Sequence, residues 1–120
     1  MNVDTMKQLT EGGVDVESML ERCMGNEALL ERLLKKFLAD RSYAGLVGAF
    51  KAGDGAAALD AAHTLKGVCG NMSITGLFEQ LARQVQALRG GDMAEAAGMM
   101  PEVTRRYEAA VQAIRQSFGD

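Results

Sequence analysis

The sequence predicts an all-α fold, an antiparallel four-helix bundle with short N-terminal helical segments covering one end, and three observations predict it. Apolar residues recur at three- and four-residue spacing through most of the chain, and no stretch sustains the alternation a strand requires. Of 120 residues, 48% are hydrophobic but only 5% aromatic, so the core must be built from Leu, Ala, Val and the eight Met, as packed helices are. Short turns containing glycine separate the periodic stretches, and short turns between helices favour antiparallel neighbours. The length suits one domain, residues 1–120, with its core at about 14–118.

Asp4 to Leu9 forms a short amphipathic lead-in that Glu11-Gly12-Gly13 ends. Asp15 caps a second short helix from Val16 to Cys23, closed by Gly25. Asn26 is a good N-cap for the first long helix, whose stripe of Leu30, Leu33, Leu34, Phe37, Leu38, Leu46, Val47 and Phe50 runs to about Lys51. Gly45 and Gly48 on it suit a close helix crossing. The turn Gly53-Asp54-Gly55 starts a helix reaching Asn71 or Met72. Ser73 and Thr75 start the next, in which Leu77, Leu81, Gln84 and Leu88 share a face until Gly90-Gly91 stops it. Asp92 caps the last helical stretch, which ends near Phe118 and is kinked or broken after Met100 by Pro101.

A formal charge of −3 argues against a nucleic-acid surface, and Lys35-Lys36 alone is no basic face. The longest apolar runs are a few residues, and Met1-Asn2-Val3-Asp4 has neither a charged n-region nor an apolar h-region. No signal peptide or membrane insertion is expected, and the expected location is cytoplasmic. Cys23 and Cys69 have no metal-ligand spacing and read as reduced core residues.

The chemistry converges on one residue, because His63 is the only histidine in the chain. On a helical wheel Ala58, Ala61, Ala62, Leu65, Val68, Cys69 and Met72 form the core side. Leu59, His63, Lys66, Gly67 and Gly70 fall roughly opposite, so the imidazole faces solvent with an ammonium one turn away. Each glycine costs a helix interior roughly 1 kcal/mol relative to alanine, and the reading here is that both leave bare backbone for close approach by a partner. Metal binding lacks further ligands in suitable spacing, a hydrolase lacks a readable nucleophile and orienting group, and no nucleotide-binding loop is present. A neutral imidazole on an exposed helix suits phosphoryl acceptance, with Lys66 offsetting the phosphoryl charge.

The run Ala62-His63-Thr64-Leu65-Lys66-Gly67-Val68-Cys69-Gly70-Asn71 resembles the signature of histidine-containing phosphotransfer (HPt) domains of multistep phosphorelays, and a weaker likeness extends from Val14 to Ile114. The resemblance implies a four-helix bundle in which His63 accepts a phosphoryl group from a receiver-domain aspartyl phosphate and passes it to another receiver. It implies Lys66 as charge partner and Gly67 and Gly70 as access positions, which with Leu59 from the same helix face make up the expected docking patch; it implies response-regulator receiver domains as partners, with a hybrid sensor histidine kinase among them. No cofactor is implied on this chain, since the receiver brings Mg²⁺; no independent kinase or ATPase activity is expected, and a monomer is. Two departures stand out. Ser73 occupies a position where many members have glycine, and the polar residue that often holds the imidazole from the following helix would fall near Val85. Gln84 is the nearest inward polar side chain and the candidate for that role. The competing readings are a non-catalytic helical adaptor for receivers or partner helices, and an independent enzyme.

Overall fold

The computed structural model describes residues 1–119. Among them are eight α-helices and no strand: α1 (Val3–Glu11), α2 (Val16–Arg22), α3 (Glu27–Phe37), α4 (Ser42–Ala52), α5 (Gly55–Asn71), α6 (Thr75–Arg89), α7 (Met93–Gly98) and α8 (Met100–Phe118). Side chains of Asn2, Asp15, Asn26, Asp54 and Asp92 cap five of these, each oxygen accepting a backbone N–H three residues on and so satisfying a donor the helix cannot.

The four bundle elements are α3–α4, α5, α6 and α7–α8. Helix α5 packs between α4 and α6, and α8 lies against α6, α3 and α1. Tyr43 closes the ring from α4 to α8: its ring stacks on Tyr107 with centroids 3.9 Å apart, and its hydroxyl shares a 2.7 Å hydrogen bond with Thr104. The interior is filled by fully buried Leu30, Leu34, Phe37, Leu65, Leu81 and Ile114 among others. The body is elongated, 44 × 22 × 20 Å.

Two of the long helices expected from the sequence are interrupted. The first stops at Phe37, where the N–H groups of Leu38, Ala39 and Asp40 bond back only three residues, and the Asp40 carboxylate takes the N–H of Ser42 at 2.8 Å. A short acidic side chain that offers the backbone a local partner competes with helix continuation, and the apolar stripe resumes only after this turn. The second break comes at Met99, ahead of the expected point, and Pro101 sits in the first turn of α8, where a missing N–H costs nothing. Gly48 on α4 faces open space, and a Cβ on Gly45 would sit 4.0 Å from that of Ala61, so neither marks an unusually close crossing.

Helices α1 and α2 cover the end of the bundle that carries the α5–α6 turn. Gly13 and Gly76 meet there backbone to backbone, with a 3.2 Å bond from Gly76 N–H to the Gly13 carbonyl. Ser73 does not start α6, which begins at Thr75; it is buried, with φ +52°. That left-handed conformation explains why glycine is expected at this position, and it costs a side chain about 1–2 kcal/mol. Hydrogen bonds offset the strain: the Ser73 hydroxyl shares one with Ser18 at 2.9 Å and accepts another from Arg22 at 3.1 Å, while its carbonyl accepts Asp15 N–H at 2.8 Å.

Both cysteines are free and buried. Burial, with the Asp40 carboxylate adding repulsion, pushes the Cys69 thiol from 9.0 up to about 12. The folded protein therefore keeps a proton that the unfolded chain releases, so this contribution to stability is whole below pH 9 and is lost as pH rises toward 12. Urea midpoints should fall over that range, and less steeply in Cys69→Ala than in the wild type. A second prediction concerns Gly12, where a Cβ would lie 2.3 Å from that of Ala113 and 2.9 Å from the Ala109 carbonyl oxygen. Gly12→Ala should destabilise by about 1–3 kcal/mol in denaturant titrations, by forcing α1 off α8, whereas Gly48→Ala should gain up to about 1 kcal/mol.

Candidate functional site

Helix α5 is oriented by Ala58, Ala62, Leu65 and Cys69, which are fully buried at the four-three-four spacing of a single helical face. With that face turned inward, His63 is exposed. No hydrogen-bond partner engages the imidazole among the described residues, and surface depressions between α1 and α8 and along α3 do not include it. It stands on an open helix face that a macromolecular partner can reach from the side.

Lys66 is half-buried, and its ammonium nitrogen lies 5.8 Å from the centroid of the Phe78 ring on α6. At that distance the ring face attracts a cation, a contact worth about 0.5–1 kcal/mol where solvent has access. Gly67 is exposed with nothing within 4 Å of where a Cβ would stand, so its backbone is open. Leu59 is half-buried and packs against the core edge on the same side.

Gly70 differs from the expectation. A Cβ there would lie 3.2 Å from Cε2 of Phe78, so the missing side chain accommodates a neighbouring helix within the fold. Only Gly67 presents the unobstructed backbone inferred for both.

Gln84 also goes elsewhere. It is fully buried, and its amide nitrogen donates to the Ala96 carbonyl of α7 at 3.1 Å and lies 3.2 Å from Met100 Sδ. Its Oε1 is buried without a partner, a cost of about 1–3 kcal/mol that the bond to α7 offsets in part. The structure thus corrects the assignment of Gln84 as imidazole partner. One residue along a helix is a turn of about 100°, which is enough to move the amide from the α5 side to the α7 side. Phe78 was missed because an apolar residue on a helix reads as ordinary core filling; its half-exposure beside a lysine emerges only once α6 folds back along α5.

A family model, the Hpt domain, matches residues 16–117. No curated protein and no solved structure matches the chain.

The two glycines can be separated by stability. Gly67→Ala should raise the thermal midpoint, by up to about 1 kcal/mol in free energy, because the added methyl meets open space in a helix. Gly70→Ala should gain less, since the Phe78 ring must yield, and Gly70→Leu should destabilise by about 1–3 kcal/mol. Equal gains from the two alanines would mean that Phe78 does not bear on Gly70.

Proposed function

The chain belongs to the Hpt domain family, and from that premise we propose that His63 is the residue through which it carries phosphoryl groups between receiver domains. The observation that carries this reading is the exposed imidazole of the only histidine, which no side chain among the described residues engages, on the helix that also carries half-buried Lys66 and the open backbone of Gly67.

In the forward step the lone pair of a neutral imidazole nitrogen attacks the phosphorus of a receiver's aspartyl phosphate. A nitrogen–phosphorus bond forms as the bond from phosphorus to the aspartyl oxygen breaks, and the aspartate leaves as a carboxylate. The phosphorylated ring carries the compensating positive charge, and attack by the carboxylate of a second receiver reverses the sequence. Lys66 offsets charge on the phosphoryl oxygens during transfer. Gly67 lets the receiver bring its aspartyl phosphate within bonding distance, and Leu59 supplies an apolar edge for docking.

We assign the Mg²⁺ that phosphoryl transfer employs to the receiver. No group of three or more His, Cys, Asp or Glu could hold a metal ion among the described residues. Nor is any helix among them long and apolar enough to cross a membrane.

Incubation with a receiver charged by labelled acetyl phosphate and Mg²⁺ should place acid-labile, base-stable label on the protein. His63→Gln should abolish it while shifting stability by no more than about 0.5 kcal/mol, as expected at an exposed position. ATP and Mg²⁺ without a receiver should give no label. Persistent label on His63→Gln would remove the assignment, and stoichiometric label from ATP would point to an independent enzyme.

A further inference from the structure

We infer that Phe78 is a positioning residue for the transfer, acting by holding the Lys66 ammonium on the His63 face of α5; the inference rests on the phosphotransfer reading of His63. Lysine is a poor choice for a fixed charge, because its ammonium sits on a flexible four-carbon stem that samples many rotamers in water. No carboxylate forms an ion pair with Lys66 among the described residues. The Phe78 ring does restrict it, lying 5.8 Å from the ammonium nitrogen.

The backbone makes room for this arrangement. Gly70 lies one helical turn beyond Lys66 on α5, and the Phe78 edge comes so close to it that a Cβ would stand 3.2 Å from Cε2 and 3.5 Å from Cδ2. A side chain at Gly70 would lift the ring away from α5 and from the lysine. Gly70, Phe78 and Lys66 therefore form a chain of dependence: bare backbone admits the ring, and the ring holds the ammonium of a residue three positions from His63, so that its place is set before the phosphoryl group arrives. A carboxylate in the ring's place would hold Lys66 too, but it would neutralise the charge and repel the incoming phosphoryl oxygens. An aromatic face positions the cation and leaves its charge available.

The test is a double-mutant cycle on single-turnover transfer from a receiver charged by labelled acetyl phosphate and Mg²⁺, with Phe78→Leu, Lys66→Ala and both together. Lys66→Ala should slow transfer by roughly tenfold to a hundredfold, the loss of one charge-stabilising contact. Phe78→Leu should slow it about two- to fivefold with Lys66 present and leave the rate unchanged in Lys66→Ala, and Phe78→Tyr should restore the wild-type rate. Proton NMR supplies a readout independent of transfer: the Lys66 ε-methylene protons should be shifted upfield by the ring in the wild type and in Phe78→Tyr, but not in Phe78→Leu. Equal slowing by Phe78→Leu in both backgrounds would overturn the inference, because the ring would then act on docking or folding without the lysine. No slowing in either background would overturn it as well. Absence of label on the wild-type protein would instead remove the phosphotransfer reading, and this role for Phe78 with it.

Discussion

The inward turn of α5 is the constraint on which the rest of the structure depends. Ala58, Ala62, Leu65 and Cys69 are fully buried, and two of the four are alanines, so α4 and α6 can both close on the helix. Rotating α5 by one residue would turn about 100° of its surface, exposing Leu65, whose burial is worth about 1.5–3 kcal/mol, and carrying polar positions toward the interior. The exposure of His63 is thus fixed by apolar packing on the far side of its own helix. The fold needs no contact to the imidazole to present it, which leaves the ring free for a partner.

Polar groups inside the molecule serve the joints between elements. The Gln84 amide ties α6 to α7, at the cost of one unsatisfied oxygen, and so helps to seat the short segment that precedes α8. Ser73 accepts left-handed strain at the α5–α6 turn and spends its hydroxyl on α2. On α8, Arg106 reaches from Glu102 to the Gly76 carbonyl, holding the start of α6 against the body of α8. Each of these ties joins two different elements, and none involves the exposed residues His63 and Gly67 of α5.

What could be read from the sequence was whatever is local. Asp15, Asn26 and Asp92 cap the helical starts they were expected to cap, because an N-cap needs only its own side chain and a backbone donor three residues on. The face of α5 was legible for a similar reason: alanine, leucine and cysteine at helical spacing leave one orientation. The interruption at Asp40 was not read, since the apolar stripe carried across it and an aspartate in a long helix is not by itself a stop. Gln84, Gly70 and Phe78 were beyond local reading altogether. Which of two adjacent residues on α6 faces α5 depends on how the hairpin pairs, and whether a glycine is open or occupied depends on the ring that folds over it. At Ser73 the local signal is the position itself: a serine where glycine is expected points to a left-handed turn rather than to a cap.

His63 is the central residue of α5, which runs from Gly55 to Asn71. At 1.5 Å per residue it stands about 12 Å from either end, well outside the last turn over which a helix macrodipole acts. Many phosphate sites are built at helix N-termini, where free N–H groups and the positive end of the dipole hold the anion firmly. A phosphoryl group on His63 would receive neither form of help, because every backbone N–H around it is already committed within the helix. Its charge would be met by a side chain and by solvent. A carrier has to release what it accepts, and in the role proposed for His63 mid-helix placement would keep the backbone from turning a transfer point into a storage site.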